Sequence, residues 1–355
     1  MPFDLTNPIF QPPPFSTTID ANVLGLTAVD PNLRLPFTLE WNAAIERELG
    51  SKQTLSATYV GANANRLLRQ DIIKPPLLVG IGSGASIVAT RNAGYAHFNA
   101  LQIQFQRHMS RGLQALISYS LAKATDLGSD DSSGLAAASV DQVVLPPLTP
   151  SDFDILNSLA GAISYELPTP RWGRIGNAIL KGWAVDGLVR VSSAPPINIT
   201  VVANSPVFGR YRTQAQVVPG QPFWITDPSQ PSGTALNPAA FTKPPAGQIG
   251  DFPRNGLRSP YSIDQTDLAI RRRFNLTERV SLNVRAEYFN LFNHPMFGAP
   301  GASEPGFIFD SVFGKVGPGS TTNLALGSGG AVGGQSPLYS LGGPRSAQFT
   351  IKLQF

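Results

Sequence analysis

The sequence has no cysteine among its 355 residues. That excludes a disulfide scaffold, a thiolate metal site and a cysteine nucleophile, and leaves the redox compartment open. Charge is scarce as well. Asp, Glu, Lys and Arg make up 14% of the chain, against about 25% in ordinary soluble domains. The 27 basic and 23 acidic residues leave a net charge of +4, too small a surplus to point to nucleic acid. No apolar run is long enough for a membrane-spanning helix; the nearest, Leu77 to Ala89, is broken by glycine. The opening Met1-Pro-Phe-Asp-Leu-Thr has neither the basic nor the apolar region of a signal peptide, so no export signal is read in this chain.

Hydrophobic residues are not lacking. They reach 42%, with 20 Phe, beside 34 Gly and 32 Pro. A chain this apolar is not disordered. The missing charge therefore reflects a surface that does not meet water in the usual way, or long uncharged loops.

Helical periodicity is hard to find, whereas alternation recurs along the chain. Phe37, Leu39, Trp41, Ala43 and Ile45 interleave with Thr38, Glu40, Asn42, Ala44 and Glu46. After a turn at Gly50 to Gln53, Leu55, Ala57 and Tyr59 alternate with Thr54, Ser56 and Thr58. Leu101, Ile103 and Phe105 alternate with glutamines, and Ser110-Arg-Gly112 turns into Ala115, Ile117, Tyr119 and Leu121. Further alternating runs follow at Leu159 to Leu167, Trp183 to Val191, Leu268 to Phe274, Val280 to Tyr288 and Phe349 to Phe355. Roughly nine strands of about 10 to 13 residues result, longer than the 5–6 usual in globular sheets and suited to tilted membrane-crossing strands.

The connections sharpen this reading. Strands pair through short turns, while the alternate connections, roughly 62–97, 125–155, 200–262 and 293–345, are long and hold much of the Gly and Pro. Globular domains rarely carry several loops of that length. Outer-membrane barrels alternate short periplasmic turns with long extracellular loops. The expected fold is all-β: an antiparallel transmembrane β-barrel segment with its apolar face toward lipid and its polar face toward a wet lumen. Arg107 and Arg272 fall on the apolar face, close enough to turns to snorkel. With the long loops outside, residues 1–35 form an extracellular loop or disordered lead-in. Residues 36–355 then form the C-terminal part of the barrel, with no plug domain. Nine strands beginning outside make an incomplete barrel.

Several segments stand out as a set: Trp41-Asn-Ala-Ala-Ile-Glu-Arg-Glu-Leu-Gly50, Ala57-Thr-Tyr-Val-Gly61, Phe98-Asn-Ala-Leu-Gln102 and Ser118-Tyr-Ser-Leu-Ala-Lys-Ala-Thr-Asp126. Arg285-Ala-Glu-Tyr-Phe-Asn-Leu-Phe-Asn-His-Pro-Met-Phe-Gly298 and the terminal Phe349-Thr-Ile-Lys-Leu-Gln-Phe355 complete it. Together they resemble TonB-dependent receptors of the Oar-like group. The resemblance implies a 22-stranded barrel, solute uptake across the outer membrane and energy coupling through a plug and TonB box. Neither plug nor TonB box is found, so the TonB complex is a partner only through a missing plug. Phe349, Ile351, Leu353 and Phe355 resemble the signal read by the barrel assembly machinery. Outer-membrane lipid and an unidentified solute complete the expected partners. No cofactor and no catalysis are expected.

His97, His108 and His294 lack metal-ligand spacing. Asp126, Asp130 and Asp131 lie in an acidic stretch that offers carboxylates to Ca²⁺ without the EF-hand pattern. Gly80 to Ala85 lacks the remaining features of a nucleotide loop. Arg271, Arg273, Arg285 and Glu287 fall on the polar face of adjacent strands. They are candidates for a lumen charge cluster, either a self-satisfied cross-strand ladder or a docking surface. Two alternatives remain: a surface or secreted β-sandwich that binds through its loops, and a small autonomous pore.

Overall fold

The computed structural model describes residues 26–73, 87–129, 148–168, 173, 176, 181–194, 196–205, 209–229, 233–246, 248–258, 263–294, 313 and 345–355. Nine strands form a single meander. They are β1 (Phe37–Glu48), β2 (Gln53–Ile73), β3 (Ile87–Ser110), β4 (Leu113–Asp126), β5 (Asn157–Glu166), β6 (Trp183–Ser192), β7 (Ile263–Asn275), β8 (Ser281–Phe289) and β9 (Ser346–Gln354). Each pairs antiparallel with its neighbour in sequence. The sheet is open: β1 and β9 are its two ends. A sandwich would need a second sheet stacked on this one, and the described residues form none of comparable size.

The turns follow from local chemistry. Between β3 and β4 only Arg111 and Gly112 intervene, at φ 51° and 78°, the positive values that a two-residue type I′ hairpin requires. A Cβ on Gly112 would lie 2.5 Å from the Glu166 carbonyl oxygen, so the position excludes larger residues twice over. At the β7–β8 turn the Thr277 hydroxyl accepts from the Val280 N–H at 3.0 Å.

Register places the alternating apolar residues in continuous rows. One row runs Ile45, Ala57, Ile103, Tyr119, Leu159 and Val191 across six strands. Another runs Ala115, Ile163, Gly187, Leu268, Tyr288 and Ala347. Both rows lie on the outward face of the sheet, where Ile45 is 77% exposed and, elsewhere on the same face, Ile351 is 73% exposed. On β4 the apolar stripe spans Ala115 to Leu121 and gives way to Lys123 and Thr125. On β3 it ends at Leu101, followed by Asn99 and His97. Tyrosines mark that edge: Tyr59 donates to Asn99 Oδ1 at 2.6 Å, and Tyr119 to Asn157 Oδ1 at 2.7 Å. An aromatic body in an apolar band with its hydroxyl handed to a polar neighbour suits a membrane interface.

Arginines on the apolar face lie toward the opposite edge: Arg47, the register partner of Leu55, is exposed there, and Arg107 and Arg272 are accommodated by their neighbours. Arg107 donates to the carbonyls of Ser110 and Leu113 at 3.3 and 3.4 Å. The Arg272 guanidinium lies over the rings of Trp183 and Phe274, at 5.1 and 4.2 Å.

Two expectations need correction. Residues 62–73 and 87–97, expected as loop, continue β2 and β3 beyond the apolar band. Their outward side chains there are Asn63, Asn65 and His97, with His97 Nδ1 2.6 Å from Asn63 Oδ1. The apolar alternation stops while the backbone ladder continues. The connection expected at 200–262 is likewise a folded unit. Hairpin Thr200–Ser205/Gly209–Gln214 and the pair Trp224–Thr226/Thr234–Leu236 surround a core of Ile197, Ile199, Val201, Leu236, Phe241 and Phe252. Phe241 stacks on Phe223 at 5.4 Å and meets Phe252 edge-on at 5.3 Å. Within the expected lead-in, Leu26–Val29 is a strand parallel to the start of β3.

Candidate functional site

Alternation on β5 to β8 places polar side chains on the face opposite the apolar rows, and three of them, from β5, β7 and β8, meet at one carboxylate of β6. Asp186 of β6 accepts from Arg271 Nε at 3.1 Å and from an Arg285 guanidinium nitrogen at 2.9 Å. Its other oxygen accepts from the Ser164 hydroxyl at 2.7 Å. Arg285 also pairs with Glu287 at 2.9 Å, and Arg271 lies 4.0 Å from Glu166. Of the four residues expected to cluster, Arg271, Arg285 and Glu287 come together. Arg273 is exposed on the same strand face and forms no ion pair with a described side chain. Asp186, the hub, was visible in the sequence only as one polar position among many.

A second charged group fastens the folded connection to the sheet. Arg254 pairs with Asp126 at the end of β4 and, at 3.0 Å, with Asp152; it also donates to the Thr149 hydroxyl at 3.0 Å. Arg258 pairs with Asp154, whose side chain is 2% exposed, and donates to the Asp154 carbonyl at 2.7 Å. The other Asp154 oxygen accepts from the Ala124 N–H at 2.6 Å. Two guanidiniums from one long connection thus pair with three carboxylates at the rim. Removing a partner from such a buried pair leaves an uncompensated charge, which makes the junction costly to open.

Asp126, considered for Ca²⁺, has its carboxylate engaged by Arg254; Asp130 and Asp131 lie outside the described residues. Gly80 to Ala85 also lies outside them. His294 Nδ1 is 3.1 Å from Asp264 and His97 faces Asn63. Among the described residues no group of three metal-ligating side chains assembles. Phe349, Ile351 and Leu353 pair in register with Ala286, Val284 and Leu282 of β8, and Phe355 follows at 97% exposure.

Solved structures resembling the chain include the outer membrane transporter YddB from Escherichia coli, at 12% identity and TM-score 0.47 over 94% of this chain and 34% of that one. The pyoverdine receptor FpvA from Pseudomonas aeruginosa aligns at 12% identity and TM-score 0.44 over 95% and 32%. The FrpB iron transporter from Neisseria meningitidis aligns at 10% identity and TM-score 0.38 over 82% and 31%. The chain therefore spans about a third of the length of these proteins. No curated protein matches it in sequence. A family model described as an outer membrane beta barrel domain matches residues 1–325. With most of its length matched, the chain belongs to the outer membrane beta barrel domain family.

Proposed function

We propose that this chain forms part of the membrane-embedded wall of a TonB-dependent, Oar-like receptor, and serves solute uptake across the outer membrane as part of the full receptor. The observation that carries the reading is the extended apolar face. Rows of exposed Ile, Leu, Val, Phe and Tyr cross the sheet, a surface far larger than a soluble monomer leaves open. The segments quoted above support the finer assignment by their resemblance to the Oar-like group.

In this reading lipid covers the apolar rows and the cluster around Asp186 lines the lumen. The barrel assembly machinery recognises the strand ending in Phe355. Energy coupling reaches the wall only through a plug contributed by the rest of the receptor. The chain itself carries no reaction and no cofactor. Cell fractionation tests it: the protein should sediment with outer membranes and leave them only in detergent. Recovery as a detergent-independent soluble protein would refute the reading.

One observation favours a second reading, a pore assembled from partial barrels. β1 and β9 each lack a long-strand neighbour on one side among the described residues, and an open edge inside lipid leaves backbone groups unsatisfied. Conductance across a planar bilayer by this chain alone would support it.

A further inference from the structure

Beyond the apolar band, at the end of the long β2–β3 hairpin, three arginines converge. The strand Leu26–Val29 runs parallel to Ile87–Thr90, and the Asp30 N–H continues the ladder to the Thr90 carbonyl at 2.9 Å. A tight turn follows, with the Asn32 N–H donating to Asp30 Oδ1 at 2.8 Å and the Leu33 N–H to the Asp30 carbonyl at 3.2 Å. That turn delivers Arg34 to the side of β3.

Asn92 then clamps two chain segments at once. Its Oδ1 accepts from the Arg34 N–H at 2.6 Å, and its Nδ2 donates to the carbonyls of Arg34 and Arg66 at 2.9 and 2.7 Å. Arg66 sits where the β2–β3 register breaks between Ala64 and Leu67, with φ at 56°. A non-glycine residue held in the left-handed region at a bulge is strained, and bulges redirect side chains. Here the bulged residue is an arginine, and the Phe37 ring flanks its guanidinium at 5.1 Å.

Arg34, Arg66 and Arg91 line one cavity of about 540 Å³ together with Asp30, Asn32 and Asn92. Arg34 and Arg66 against the one carboxylate of Asp30 leave the lining a positive surplus even without Arg91, which has a partner of its own. Asp30 already has an oxygen engaged in its own turn, and neither Arg34 nor Arg66 forms an ion pair with a described side chain. Like charges gathered around one cavity repel each other; an anion offsets that repulsion, and guanidinium forks suit carboxylate and phosphate oxygens. The volume lies within the range of small-molecule sites.

We propose that this pocket binds a small oxyanion through carboxylate or phosphate oxygens, with Arg34, Arg66 and Arg91 as its ligands and Asn92 as a positioning residue. Free solute anions and lipid headgroups share that chemistry. The proposal stands whether or not the chain transports anything, because it concerns binding alone.

Titration calorimetry on the full chain refolded in zwitterionic detergent, with citrate and pyrophosphate as probes, tests it. Binding should weaken tenfold or more in Arg34→Gln and in Arg66→Gln, and should weaken in Asn92→Ala. It should tighten in Asp30→Asn, a gain that a misfolded variant cannot mimic. Wild-type affinity no greater than that of the Arg34→Gln/Arg66→Gln double variant would overturn the proposal, as would affinity unmoved by Asp30→Asn. Repeating the titration in bilayers with and without phosphatidylglycerol separates the sources. Loss of citrate binding in the anionic bilayer supports a headgroup as occupant, and retention supports a soluble anion.

Discussion

Arg285 places a guanidinium nitrogen 2.9 Å from Asp186 Oδ2, joining β8 to β6 across the intervening β7. The same oxygen accepts from Arg271. Asp186→Ala should therefore leave two facing cations without their shared counter-charge and destabilise the sheet by about 1–3 kcal/mol. Arg273→Ala, which breaks no ion pair, should stay within about 0.5 kcal/mol of the parent. Urea unfolding in lipid vesicles checks both. In the full receptor, solute affinity unchanged by Arg285→Ala and Arg273→Ala would identify the group as a structural ladder; reduced affinity would make it a docking surface.

Asp154 is buried under Arg258 and holds the Ala124 N–H. Asp154→Ala should cost about 3–5 kcal/mol, as expected when one member of a buried pair is removed. Loss should begin locally, with the folded connection around Phe241 and Phe252 detaching from the rim before the sheet melts. Limited proteolysis should then cut between residues 196 and 258 while β1 to β5 stay protected. Arg254→Ala should act in the same direction, since it leaves the largely buried Asp126 carboxylate without its cation.

Trp41 lies over Gly61, its register partner on β2. A Cβ at Gly61 would come within 2.3 Å of the indole. Gly61→Ala should push the ring off its strand and destabilise the hairpin by about 1–3 kcal/mol, as overpacking does. The readout is Trp fluorescence together with the urea midpoint. Trp41→Ala/Gly61→Ala should recover part of the loss relative to Gly61→Ala, because the clash is gone.

All nine long strands were legible, because one lipid-sized apolar face gives period-two alternation its contrast. Legibility failed where contrast failed. At Asn63, Asn65 and His97 the outward face turns polar while only Ala62, Ala64 and Ala96 lie between them on the other, so the apolar-outward pattern ends although pairing continues to Ile73 and from Ile87. The unit between β6 and β7 escaped notice because its strands are two to six residues long. Its core is also assembled from scattered residues such as Val201, Leu236 and Phe252. Asp126 drew attention as one of a run of acids, yet its partner Arg254 lies 128 residues away. No spacing rule reaches that far. The Arg271, Arg285 and Glu287 grouping was accessible because it needs only the adjacency of β7 and β8; Asp186 needed the β6–β7 register as well.

The terminal strand offers a test of assembly apart from stability. Phe349, Ile351 and Leu353 face outward beside β8, and Phe355 extends past it. Phe355→Ala removes one exposed ring and should barely change unfolding in vesicles. It should nevertheless lower the assembled fraction in cells several-fold if the assembly machinery reads that residue. Comparing outer-membrane yield with refolding yield in vitro separates the two effects.

The central claim is that the apolar rows meet lipid and the alternate rows meet water. The chain has no cysteine, so single substitutions report without background. Ile103→Cys and Gln104→Cys are neighbours on β3 with opposite facing, and reconstituted vesicles treated with a charged, water-soluble maleimide distinguish them. The account predicts rapid labelling at position 104 and protection at position 103 until detergent is added. Equal labelling of both, or protection at 104 with reaction at 103, would contradict it.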